Sequence, residues 1–198
     1  YHKIDIVLHC AALARVRECE SNKKKAKKIN VDGTNNIVRS ILKIKKIKKK
    51  DIKLIFISTD AVYSDLGGNH KETDTLKPYN FYGITKLKGE KIVKKLKNFI
   101  IIRTRFFDKN KIKFNRSAVN IYTSALEAEK LVEFISKLVK KKFKGIINVG
   151  GKKISDFKKY SKYKKNIKPC DREEILKNLN FKIAIDASMN IEKLKHFL

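Results

Sequence analysis

Residues 53–60 read Lys-Leu-Ile-Phe-Ile-Ser-Thr-Asp, and they set the terms for everything around them. The run KLIFIS at 53–58 shows no polar–apolar alternation through its centre, as expected of a strand buried on both faces of a parallel sheet. It ends in Ser58-Thr59-Asp60, two hydroxyls and a carboxylate at the strand's carboxyl end, where ligands bind in open α/β sheets. Outward from this strand lie three similar runs, IDIVLH at 4–9, FIIIRT at 99–104 and GIINV at 145–149. Each is read as a strand buried on both faces. Between them the apolar period changes to that of helices. Ile29, Ile37, Ile41, Ile44 and Ile47 mark a helix over 24–48, with Gly33 at a close packing point. Leu87, Ile92, Val93 and Leu96 mark a helix over 80–97, and Leu126, Leu131, Phe134, Ile135 and Leu138 mark one over 124–141. A loop with Gly67, Gly68, Asn69 and Pro78 leads to the second of these. Weaker helical pieces are expected near 155–165, 171–179 and 188–197. The alternation predicts an α/β fold of βαβ units around a parallel sheet. It directs attention to His9–Ala12, Ser58–Asp60 and Arg103–Phe107, the residues just past three strands.

The chain has 198 residues, one domain's worth, with 49 Lys+Arg against 20 Asp+Glu and a formal charge of +29. Such a charge invites a nucleic-acid reading. However, 42 of the 49 cations are Lys and only seven are Arg, and the Lys are spread over every helical segment. Specific readers of phosphate and guanine lean on Arg and on stacking aromatics. The charge is therefore read as surface composition, with no specific nucleic-acid partner. No stretch approaches 18 consecutive apolar residues, and the opening YHKIDIVLHCAALARV lacks a cleavage pattern, so neither a membrane span nor a secretory signal is expected. Cys10, Cys19 and Cys170 match no zinc or redox spacing and are read as reduced thiols of a cytoplasmic protein, with no metal site.

Tyr82 and Lys86 stand four apart at the start of a helix and share a face. An ammonium beside a phenol favours phenolate, which suits Tyr82 to protonate a carbonyl oxygen during reduction. In so lysine-rich a chain the spacing alone is weak, and Tyr160 with Lys164 repeats it. Context separates the two. Tyr82 follows the Ser58-Thr59-Asp60 strand end and lies within KETDTLKPYNFYGITKLKGE at 71–90.

With IVLHCAA at 6–12, VRECE at 16–20, INVDGTNNIV at 29–38, FISTDAVY at 56–63, IIRT at 101–104, YTSALEAEKLVEFI at 122–135 and GIINVGG at 145–151, the chain resembles a known family over about three-quarters of its length. That family is the extended short-chain dehydrogenases/reductases, and within it the dTDP-4-dehydrorhamnose reductase-like (RmlD-like) proteins. The C-terminal AIDASMNIEKLK at 184–195 resembles the family's closing helix. The resemblance implies a partial Rossmann-like doubly wound parallel sheet over residues 1–151 and a small C-terminal helical substrate lobe over 152–198.

It also implies NADPH- or NADH-dependent reduction of a nucleotide-linked 4-keto-6-deoxysugar, in the biosynthesis of nucleotide sugars and surface polysaccharides. Thr59, Tyr82 and Lys86 map to the catalytic Ser/Thr, Tyr and Lys. Cys10, Ala11, Ala12 and Ser58 map to the cofactor side together with Tyr82 and Lys86, and Asp60, Val16 and Phe106 map to the sugar side. Packing at a strand end remains an equal reading for His9 and Cys10, and Asn30 is read as ordering the ends of helix and strand. An epimerase or dehydratase, or a non-catalytic nucleotide-binding or regulatory protein, would use the same fold, and a homodimer stays open as its assembly. Three departures stand out. No Gly-x-x-Gly-x-x-Gly occurs, so weak dinucleotide binding is expected of this chain alone. Ala14 and Arg105-Phe106 replace a hydroxyl residue and Ser-Trp. Only residues 107–121 separate the third strand from Tyr122.

Overall fold

The computed structural model describes residues 3–197. In chain order the elements are β1 (Ile6–His9), α1 (Val16–Ser21), α2 (Lys23–Lys27), a π-helical turn (Lys28–Asp32), α3 (Gly33–Lys48), β2 (Lys53–Ile57), α4 (Phe81–Val93) and β3 (Phe99–Thr104). There follow β4 (Phe106–Phe107), β5 (Arg116–Ala118), β6 (Tyr122–Thr123), β7 (Leu126–Glu127), α5 (Ala128–Lys140) and β8 (Gly145–Val149). The C-terminal segment holds β9 (Ile154–Ser155), α6 (Asp156–Tyr160), β10 (Lys168–Cys170), α7 (Arg172–Leu176), β11 (Asp186–Ala187) and α8 (Glu192–Lys195).

The four long apolar runs form one parallel sheet in the order β1-β2-β3-β8. Because successive side chains point to opposite faces, each central strand serves two cores. Leu54, Phe56 and Ile101 pack with Val38 and Ile41 of α3 and Val93 of α4 on one face. Ile55, Ile100, Ile102, Ile147 and Val149 pack with Leu131 and Leu138 of α5 and Leu194 of α8 on the other. Helices on both faces are why these runs lack alternation.

Four expectations need correction. β1 is not buried on both faces: Ile6 and Leu8 are 42% and 49% exposed, because β1 is the edge of the sheet and no helix among the described residues covers that side. The helix expected over 24–48 forms as α2, the π-helical turn and α3 joined through helical backbone, but what reads as a polar stretch before it hides a further helix, α1. The helix expected from 124 begins at Ala128, because Leu126–Glu127 instead pairs with Phe106–Phe107. The C-terminal segment is a mixture rather than a set of long helices. Its β10 pairs with β5, and β11 and β9 flank β6, so that short ladders pin residues 152–198 to residues 116–123.

Candidate active site at the carboxyl edge of the sheet

β2 delivers Ser58, Thr59 and Asp60 to the sheet's carboxyl edge. Thr59 caps a single 3-10 turn over Asp60–Val62: its Oγ1 accepts from the Ala61 N–H (3.2 Å) and donates to Asp60 Oδ1 (3.1 Å). Across from this turn α4 starts at Asn80, whose side chain accepts from the Gly83 N–H at 2.8 Å. Glu20 of α1 accepts from the Phe81 N–H at 2.7 Å. At Gly83 the helix backbone lies directly against the Ala61 carbonyl, so that any side chain there would collide with it. This close approach sets Tyr82 beside Thr59 on the cavity wall.

Lys86 is one turn further along α4 and buried, its ammonium 4.0 Å from the centre of the Phe56 ring. Burial lowers its pKa to about 8, against an opposing pull from Glu90 and Cys10. Burial also pushes the Tyr82 phenol above its ordinary value, helped by Asp60 and Cys19, while Arg105 and the neighbouring Thr59 pull it down. Burial, not Lys86, therefore dominates the acidity of Tyr82 in this arrangement, contrary to the lowering that their spacing suggests. The other matching pair has structural contacts instead. Tyr160 packs edge-on against Phe107 and Phe114, and Lys164 Nζ donates to the carbonyls of Ile112 and Phe114.

Buried polar groups brace the site from behind. Glu90 accepts from Ser58 Oγ (2.6 Å) and from Arg103 Nε (3.1 Å) and Nη2 (2.8 Å). Asn30 accepts from the Leu13 N–H (2.7 Å) and donates to the Leu13 carbonyl (3.1 Å) and Thr85 Oγ1 (2.9 Å), tying the segment after β1 to α4. Thr34 spends its proton on the Asn30 carbonyl, so His9 Nε2, 3.0 Å from Thr34 Oγ1, is the donor of that pair. These contacts give His9 and Asn30 packing roles.

A cavity of about 470 Å³ opens at this edge, lined among others by Cys10, Ala12, Val16, Ser58, Thr59, Asp60, Tyr82, Lys86 and Phe106. Of the site residues read from the sequence, Ala11 alone lies outside this lining; it is exposed. Residues not assigned a role beforehand complete the wall: Tyr79, Arg105, Asp156, Ile183 and Ala184. Arg105 could have been found from its place just past β3. Asp156 and Ile183 carry no local signal, since tertiary pairing alone brings the C-terminal segment here. A larger cavity of about 990 Å³, between α5 and α6, is lined by six lysines and contains none of Thr59, Tyr82 and Lys86. The smaller one gathers the candidate residues.

A sequence model of the RmlD substrate binding domain matches residues 1–136. The bovine (Bos taurus) methionine adenosyltransferase 2 subunit beta is 35% identical over 88 residues, 44% of this chain and 25% of that protein. The chain's match thus spans about a quarter of this curated relative. Among solved structures, a hypothetical dTDP-4-dehydrorhamnose reductase from Sulfolobus tokodaii superposes with a TM-score of 0.83 at 30% identity, over 98% of this chain and 74% of that one. A dTDP-4-dehydrorhamnose reductase from Bacillus anthracis, solved in complex with NADP, has a TM-score of 0.80 at 24% identity, over 97% and 74%.

Proposed function

Because this chain belongs to the RmlD substrate binding domain family, we propose that its cavity serves the reduction of a carbonyl on a nucleotide-linked keto-sugar by NADH or NADPH in the cytoplasm. The observation that carries this reading is the meeting of Thr59, Tyr82 and Lys86 on one wall of one cavity. The NADP complex of the Bacillus anthracis neighbour supports the choice of cofactor.

The residues fit the nicotinamide end of such a dinucleotide: a buried amine at Lys86, the Thr59 and Tyr82 hydroxyls, and the small Cys10 and Ala12 along the rim. When bound, the cofactor supplies hydride to the carbonyl carbon. Tyr82 donates its phenolic proton to the carbonyl oxygen, and Thr59, its hydroxyl turned from Asp60 Oδ1 to the substrate, steadies the charge that builds on that oxygen. Lys86 holds the nicotinamide ribose. Its positive charge also offsets the phenolate that Tyr82 becomes, so the effect of the amine belongs to the moment of transfer rather than to the resting phenol. Residues 1–151 form the catalytic core. Residues 152–198 form the sugar-facing lobe, which reaches the cavity through Asp156, Ile183 and Ala184.

The test is Tyr82→Phe in the protein expressed from its complete reading frame. NADPH oxidation with a nucleotide-linked 4-keto-sugar is expected to fall by about 10²-fold or more, with the circular dichroism spectrum unchanged. Undiminished turnover would remove Tyr82 from the chemistry. The kinship with the methionine adenosyltransferase 2 beta subunit favours a second reading, a non-catalytic subunit on the same fold. It is distinguished by absence of turnover with every nucleotide sugar together with retained affinity for a partner protein.

A further inference from the structure

Asp60, the acid expected to meet the sugar, stands in the wall of the cavity but presents almost no surface to it. It is 1% exposed, and its Oδ2 is sealed from solvent. What covers it is Arg105. The Arg105 Nε lies 2.6 Å from Asp60 Oδ2, and its Nη2 donates to Asp60 Oδ1 (3.2 Å) and Tyr79 Oη (3.3 Å). Thr59 Oγ1 also donates to Oδ1, which thus takes two hydrogen bonds, while Oδ2 meets Arg105 as an ion-pair contact and accepts no hydrogen bond among the described residues. Arg105 lines the same cavity as Tyr82, and 34% of its side chain remains accessible. Neither of its bonds to Asp60 uses Nη1. A guanidinium has five N–H donors and no acceptor.

The polar character of this end of the cavity is thereby inverted. An open Asp60 would accept from sugar hydroxyls; Arg105 in front of it presents donors that are always charged. Asp156, the other carboxylate of the wall, is likewise engaged, by Lys159 Nζ at 2.6 Å. We infer that Arg105 is a specificity-determining residue that selects a nucleotide-linked sugar bearing a carboxylate over its neutral hydroxymethyl counterpart. Nε and Nη2 are held by Asp60 and Tyr79, and the N–H groups of the remaining Nη1 make charge-assisted hydrogen bonds with a carboxylate that a primary hydroxyl cannot match. The inference rests on the proposed reading of the cavity as a nucleotide-sugar site and adds the chemistry of the sugar.

Titration calorimetry on the full chain tests it, with glucose and glucuronate each linked to dTDP and to UDP. With whichever base binds, the glucuronate form is expected to bind at least tenfold more tightly than the glucose form. Arg105→Ser should abolish or reverse that preference by uncovering Asp60, and Arg105→Lys should keep part of it. Because Arg105→Ser leaves a buried carboxylate unpaired, Asp60→Asn/Arg105→Ser is measured beside it, with folding checked by circular dichroism. The double variant should bind both sugars alike. Equal affinities in the unaltered chain, or a glucuronate preference that survives loss of Arg105, overturn the role of Arg105 and leave the nucleotide-sugar reading standing. Failure of all four nucleotide sugars to bind overturns both.

Discussion

Lys86 shows how one buried amine ties stability to acidity. Its pKa is about 8 in the folded chain against 10.5 for an ordinary lysine, so between these values the unfolded chain binds more protons than the folded one. Stability therefore rises with pH through this window. The raised pKa values of Cys19 and Tyr82 act in the opposite sense once the unfolded thiol begins to ionise near 9 and the unfolded phenol near 10, which confines the clean part of the rise to about pH 8–9. Urea unfolding followed across this range should show the increase, and Lys86→Met should lessen it, leaving the share of Lys53 and Lys159, whose pKa values burial also lowers, while raising stability at neutral pH. A flat profile in the unaltered chain would mean that the amine is already hydrated in the folded state. The spacing of Tyr82 and Lys86 was legible in the sequence. The balance of burial against charge that governs their protons was not, because burial belongs to the packed molecule.

The elements differ sharply in how far their strands are enclosed, and substitutions should follow that difference. Ile101 in β3 is fully buried between α3 and α4, whereas Leu8 in β1 is half exposed at the sheet edge. Ile101→Ala is expected to cost about 2–5 kcal/mol, as large-to-small core changes do. Leu8→Lys should change stability by less than about 0.5 kcal/mol, as surface changes do. Denaturant midpoints of the two variants check this, and equal losses would show that the outer face of β1 is covered in solution. Both residues stand in apolar runs that look alike in sequence. A run of isoleucines and valines records suitability for a sheet but not the strand's position in it. The same limit explains Leu126–Glu127, whose helical spacing gives way to pairing with Phe106–Phe107.

At the scale of the whole molecule the formal charge of +29 sets the background. The described acids are largely engaged, as in the buried Arg103–Glu90 pair and in exposed pairs such as Lys45–Asp51. The excess lysines repel one another over distances that added salt screens, the Debye length being about 8 Å at physiological ionic strength. The melting temperature is therefore expected to rise as sodium chloride is added, and binding to a polyanion such as heparin should fall steeply over the same range. Heparin affinity that resists salt would instead point to a shaped nucleic-acid surface.

The sequence by itself determined the α/β alternation, the parallel sheet with its ligand-binding carboxyl edge, and the kinship carried by the Thr59, Tyr82 and Lys86 segments. Those signals are local: hydrophobic period, strand-end chemistry and short motifs each lie within one or two elements. Only the tertiary structure decided that β1 is the sheet edge among the described residues, that residues 116–123 hold the C-terminal segment against the core, and that Arg105 stands over Asp60 in the cavity wall. These depend on which distant surfaces meet and which charges are taken out of water together, and no spacing along the chain encodes either.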